Sequence, residues 1–331
     1  MTRVDRRTFL AAMAVSGIAG CSVAPSAVYH QHGVVTPAAA STELVSLDVT
    51  ARSRDELAAT LRAVSSLGTI AVGASLFDGR FGIPRPRGLT PMPSFRSDVL
   101  DPAWCHGDLL VQVENGSLTE QVPHTRPRWR ITGHHQPRNL FGFREGAGNP
   151  DPTDADLMDR HVWVRPGAGE PAWCAGGTYQ VVRLIRLAMP TWDREPAHVQ
   201  EKVFGRHKDS GAPLGIPGEL SDPGYPTDPD GHRIALDAHI RRANPRTPES
   251  QAHRILRRSH TYRHSPDDAG QIFTCFQNDI AQGFATIQHR LAGEALEKYL
   301  LPYGGGYYFV LPAPTPSPDD FTGKSMLTAT A

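Results

Sequence analysis

The sequence predicts an α+β protein whose pattern is compatible with two ferredoxin-like domains. Three observations carry this. Strand-like and helix-like patterns alternate in both halves of the chain, with the helices falling on one face of each set of strands. The 331 residues include 31 glycines and 29 prolines but only 21% charged residues, which suits long ordered loops around sheets better than a helical bundle. That length allows two domains or one large one, with ample apolar material for a core. The domains read as residues 44–150 and 151–315, followed by a tail at 316–331.

The first 21 residues stand apart from the fold. Arg6-Arg7-Thr8-Phe9-Leu10 precedes a small-residue apolar run from Ala11 to Gly20, too short to anchor stably across a bilayer. The pattern resembles a twin-arginine export signal, which implies passage through the twin-arginine machinery in folded form and an extracytoplasmic location. Ile18-Ala19-Gly20-Cys21 resembles a bacterial lipobox. Cys21 either carries a lipid anchor, the chain's one expected link to a membrane, or merely ends a cleaved peptide. Residues 22–43 are rich in Ala, Ser, Pro and Val and read as a tether or N-terminal arm. His30-Gln31-His32 interrupts it, but no further ligands stand at metal-binding spacing.

The body begins with a strand at 44–50, where apolar and polar residues alternate. Ser53 caps an expected helix running to Ser66, and a strand at 69–76 follows. Further strands are expected at 108–113 and 128–132, with a long Pro/Gly/Arg-rich loop at 79–105 between. In the second half strands are expected at 179–189, 271–276 and 307–311, with a short helix at 195–206. Ile280, Phe284, Ile287, Leu291, Leu296 and Leu300 share the spacing of one helix face over 279–300. His260 and His264 stand four apart, but Pro266 and the polar surroundings favour a loop.

Lys+Arg and Asp+Glu both number 34, so the chain lacks the basic excess of a nucleic-acid binder. Beyond Cys21 the cysteines are Cys105, Cys174 and Cys275, none in a Cys-x-x-Cys arrangement, which weakens zinc and redox-motif readings. Cys105 and Cys174 could pair in an oxidising compartment, the alternative being free thiols. The five tryptophans could relay electrons from surface substrates or simply fill the core.

Two stretches concentrate chemistry. Gly142-Phe143-Arg144-Glu145-Gly146-Ala147-Gly148-Asn149-Pro150 presents a charged pair on a glycine-rich, proline-terminated loop. His239 lies in Asp237-Ala238-His239-Ile240-Arg241, ahead of Arg246 and of Arg257-Arg258. His239 can be a haem-iron ligand opposed by an arginine, or an interior histidine beside a solvated basic face.

The loop at 142–150 resembles the Gly-x-x-Asp-Gly motif of dye-decolourising (DyP-type) haem peroxidases. The likeness extends to His32–Pro37, Ser75–Gly82, Gly107–Val113, Gly205–Asp209, Ala238–Arg241 and Gly304–Tyr307. It implies two ferredoxin-like domains arranged like a dimeric α+β barrel and one haem b per chain, held mainly by the C-terminal domain, with His239 as axial ligand to the iron. It also implies that hydrogen peroxide oxidises dyes, phenols or similar aromatic one-electron donors, and it leaves a homo-oligomer open. Arg257, rather than Arg258, matches the family's distal arginine, and Glu145 takes the place of the acid/base. Gly142, Phe143, Arg144 and Gly146 accompany Glu145 at the haem. Phe273 is expected to line the distal pocket or the core, Arg246 to reach a haem propionate, and Asp279 to be the carboxylate that orients His239.

Two departures matter. Glu145 stands where the family has aspartate; the intrinsic pKa is nearly the same, roughly 4.3 against 3.9, but the side chain is one methylene longer. Between Val113 and Arg128 the family's long helix is reduced to Ser117–Val122, trimming one face of the first domain. Alternatives to peroxidase are a deferrochelatase-like role in haem or iron handling, or a haem-binding lipoprotein without catalysis.

Overall fold

The computed structural model describes residues 28–265 and 268–330. The expected export signal, Cys21 and Pro266 lie outside the described residues. In chain order these form β1 (Ser41–Val49), α1 (Arg54–Val64), β2 (Thr69–Gly73), β3 (Leu109–Glu114), β4 (Thr125–His134), α2 (Ala155–His161), β5 (Thr178–Leu187), α3 (Met189–Trp192), α4 (Ala197–Phe204), α5 (His239–Ala243), β6 (Leu256–Arg257), β7 (His260–Ser265), β8 (Asp268–Gln277), α6 (Thr286–Leu291), β9 (Leu300–Val310) and α7 (Lys324–Thr328).

The first half pairs its strands in the order β2-β3-β1-β4. The second pairs them as β9-β5-β8-β7, with β6 continuing β7 along β8. Counted within its own half, each sheet has the order 4-1-3-2, the ferredoxin-like arrangement. The halves then join twice. β2 pairs with β9 through Ala71–Val310 to Gly73–Tyr308, and β4 meets β7 at His134–Thr261. The second strand of each half thus lies beside the fourth strand of the other. The eight strand positions close into a barrel, and closure removes the unpaired edges that open sheets expose.

Strand alternation divides the apolar residues between two layers. Leu44, Leu110, Trp129, Val182, Phe276 and Tyr308 fill the barrel, whereas Val45, Leu47 and Val49 face outward against Leu57, Leu61 and Val64 of α1. α1 starts where its sequence dictates. Ser53 accepts from Glu56 N at 3.2 Å, and Glu56 reaches back to Arg52 N at 2.6 Å.

Several expectations are corrected. From Val28 onward the N-terminal arm is not a loose tether, because Gln31 donates to Ile70 O and Leu311 O and accepts from Ile70 N, all within 2.8 Å. The tail packs on the fold as well. Phe321, Met326 and Leu327 are buried in the layer outside the barrel, with Arg62 lying over the Phe321 ring. The helix expected over 279–300 is short: a π-helical turn at Ala281–Ala285 leads into α6, which gives way to Gly293 at φ +77°. Leu296 and Leu300 pack with Trp192 and Tyr299 instead. His260 and His264 lie on a strand, β7, and His260 is buried against Thr42 Oγ1 at 3.0 Å. Residues 117–122 form no helix. They are tied by the buried Glu43 carboxylate, which accepts from Ser117 Oγ, Leu118 N and Arg130. Cys105, Cys174 and Cys275 are buried free thiols, so the Cys105–Cys174 pair is not formed.

Candidate active site

A cavity lies between the outer face of the second sheet and the helices that cover it. β5 contributes Arg183 and Ile185, and β8 contributes Phe273 and Gln271, their partners across the ladder. Phe204, Ile240, Phe284, Ile287 and Leu291 close the apolar part of the wall.

His239 is the first residue of α5, and it enters the cavity because α4 stops beside it. Gly205 ends α4 at φ +84°, and a Cβ there would come within 2.8 Å of Ile240, so only glycine admits this approach. His239 Nδ1 lies 2.7 Å from Oε2 of Glu294, whose carboxylate is buried. A carboxylate can only accept, so Nδ1 carries a proton and Nε2 is the ring nitrogen left for a ligand. Glu294 reaches this place because the chain turns back at Gly293 after α6. Asp279 does not orient His239. Its Oδ1 accepts from Gln282 N at 2.9 Å and caps the start of the helical segment.

The facing wall is the 142–150 loop. Gly142, Gly146 and Gly148 all adopt φ between +81° and +91°. This brings Phe143, Arg144, Glu145 and Gly146 to the cavity, whereas Gly142 itself turns toward Lys208. Phe143 stacks on Phe204 at 3.8 Å, and Arg144 pairs with Glu219 at 3.1 Å in a solvent-exposed contact. Glu145 is half-buried, its Oε1 accepting from Gln271 Nε2 at 3.2 Å.

Arg257 points into the same space, with NH2 donating to Ala147 O at 2.7 Å and Nε to Asn149 Oδ1 at 3.1 Å. It is half-buried by surface because it faces the cavity, although protein encloses it, and that burial lowers its pKa while the Glu145 charge opposes the shift. Arg258 faces away and donates to Val34 O and Thr36 O of the N-terminal arm. Arg246, in the left-handed region at φ +61°, and Arg254 add positive charge to the wall. Burial depresses Arg254, and the Arg246 charge adds to the effect.

Of the residues singled out from sequence, the fold brings together Glu145, Arg257, His239, Arg246, Phe273, Phe143, Arg144 and Gly146, and leaves out Gly142 and Asp279. Three contributors escaped sequence reasoning. Glu294 lies 55 positions from His239 and Gln271 lies 126 from Glu145, so no local period links them. Arg183 is buried in an ion pair with the wholly enclosed Asp98 and lies under Phe95.

The donor set fits haem. An imidazole backed by a carboxylate faces a carboxylate and guanidinium across apolar walls, and further arginines can meet anionic substituents.

Models of the Dyp-type peroxidase C-terminal and N-terminal domains match residues 136–315 and 64–123. A deferrochelatase of Shigella flexneri is 39% identical across 90% of this chain and 86% of its own length. Among solved structures, the DyP-type peroxidase of Cellulomonas bogoriensis superposes with TM-score 0.78 at 29% identity, over 91% of this chain and 97% of the other. Ferric DtpA from Streptomyces lividans gives TM-score 0.79 at 29% identity, over 91% and 96%.

Proposed function

The chain belongs to the Dyp-type peroxidase family, and on that premise we propose that it is an exported haem peroxidase in which His239 holds the iron and Glu145 and Arg257 act on hydrogen peroxide. One observation carries the assignment of roles: the His239–Glu294 pair and the Glu145–Arg257 pair line a single cavity.

Haem supplies the iron at which peroxide is reduced. The chain's own residues do the rest. Glu294 keeps the proton on Nδ1 of His239 and strengthens Nε2 as an electron donor. Glu145 has Oε1 occupied by Gln271, so Oε2 takes the proton from one peroxide oxygen and returns it to the other, which leaves as water. Arg257 cannot lose its charge at working pH, and it stabilises the negative charge that builds on the departing oxygen. Arg246 would meet a propionate of the bound haem. Dyes, phenols or similar aromatic donors then return the electrons one at a time.

A Soret band in the purified protein that disappears in His239→Ala, together with peroxide-dependent dye oxidation that falls in Glu145→Gln, is the expected result. A normal haem spectrum in His239→Ala would overturn the ligand assignment.

A second function is supported by the higher identity to proteins named deferrochelatase, 39% against 29% for the solved peroxidases. Iron released from haem with protoporphyrin left intact is its signature. The export assignment rests on Arg6-Arg7 and the apolar run after them. Retention in the cytoplasm when both arginines are changed to lysine is its test, and palmitate labelling lost in Cys21→Ser tests the lipid anchor.

A further inference from the structure

Gln271 is the amide on an apolar stretch of the cavity wall. Along β8 its neighbour on the same face is Phe273, and across the ladder it lies opposite Ile185. An amide in such surroundings is costly unless its hydrogen-bonding groups find partners. Here Nε2 donates to Oε1 of Glu145 at 3.2 Å, tying the sheet to the loop.

Arg257 does not hold that carboxylate in place. Its NH2 and Nε are directed at Ala147 O and Asn149 Oδ1, so it influences Glu145 through charge rather than through a hydrogen bond. The main chain of Glu145 is fixed separately by its amide donating to Pro137 O at 3.2 Å. The side chain, with three torsions, is thus anchored at its far end by Gln271.

We propose that Gln271 is the positioning residue of Glu145: it fixes one carboxylate oxygen and aims the other at peroxide, which lets a glutamate serve at this position. The inference rests on the role assigned to Glu145 above. An aspartate on the same backbone is one methylene shorter and falls out of reach of the amide. The contact therefore matters to glutamate and not to aspartate.

The test uses the haem-loaded protein, with haem content fixed by absorbance. The variants are Gln271→Leu, which keeps the volume and removes the donor, Glu145→Gln, Glu145→Asp, and Gln271→Leu combined with Glu145→Asp. Two quantities are measured: the second-order rate with hydrogen peroxide, and the equilibrium affinity of the ferric protein for fluoride, read from its spectrum. Gln271→Leu alone is expected to slow the peroxide reaction roughly tenfold or more, a fraction of the hundredfold that misplacement by about 1 Å can cost. The same change is expected to shift fluoride affinity, because fluoride senses the proton held by the facing acid. In the Glu145→Asp background it should move neither quantity by more than about twofold, since contacting residues couple and separated ones add.

Equal effects in both backgrounds would mean that Gln271 merely supports the wall, and no effect in either would also overturn the proposal. A Glu145→Gln variant that reacts as fast as the wild type would instead remove the premise, the role of Glu145 itself.

Discussion

Asn149 and Arg257 hold each other through three hydrogen bonds: Asn149 Oδ1 accepts from Arg257 N at 3.2 Å and Nε at 3.1 Å, while Asn149 Nδ2 donates to Arg257 O at 2.9 Å. The loop and the strand that face His239 are therefore one unit. Asn149→Ala leaves a half-buried guanidinium and two main-chain groups short of partners, at a cost of about 1–3 kcal/mol in stability. The peroxide reaction should slow by roughly tenfold to a hundredfold as Arg257 loses its aim. Stopped-flow absorbance measures the second effect, and haem affinity should stay unchanged.

Glu294→Gln removes the charge behind His239 but preserves shape. With no carboxylate to fix the Nδ1 proton, Nε2 becomes a weaker donor, and haem affinity or activity is expected to drop by about 10- to 100-fold. The ferric/ferrous potential should rise, and a spectroelectrochemical titration reads it directly. Asp279→Asn, in contrast, should leave the potential where it is.

Asp98→Asn tests the ion pair behind the cavity. The side chains of Arg183 and Asp98 are 3% and 0% exposed, so removing one charge strands the other in the interior. The expected loss is about 3–5 kcal/mol. Urea unfolding should show a lower midpoint with an unchanged slope.

His260 gives the fold an acid limb. Burial, reinforced by the charges of His135 and Arg258, pushes it down from 6.5 to about 4. The folded state thus favours the neutral ring more than the unfolded chain does. The associated stability is complete above about pH 6.5 and is lost as the pH falls toward 4. Urea midpoints measured between pH 7 and pH 4.5 should fall more steeply for the wild type than for His260→Gln.

Much of this architecture was legible in the sequence. The strands of β1, β3, β5 and β8 announce themselves by alternation or by apolar runs, and Ser53 marks the start of α1 within a residue. The 142–150 loop was legible because its glycines are required by backbone geometry, a local property. Glu294 was not, because its role depends on where the chain returns after Gly293. Asp279 had the right chemistry and a nearer position, but an acid at the start of a helix serves that helix first. β7 was missed because Arg263, His264 and Ser265 are exposed and polar and one of its buried residues is His260, which finds Thr42 inside the barrel, a partner that alternation cannot reveal.

Closure of the barrel has a consequence in time. β9 lies between β5 and β2, joining residues 71–73 to residues 308–310, so the ring cannot be completed until nearly the whole chain has left the ribosome. Gln31, only ten positions after Cys21, binds Leu311 O, the carbonyl just beyond that last strand. The arm that carries Gln31 therefore gains this last contact only when synthesis is nearly finished. A chain stalled or misfolded near its C-terminus would leave Gln31 with only its Ile70 partners, so the state of the far end is reported at the N-terminal arm.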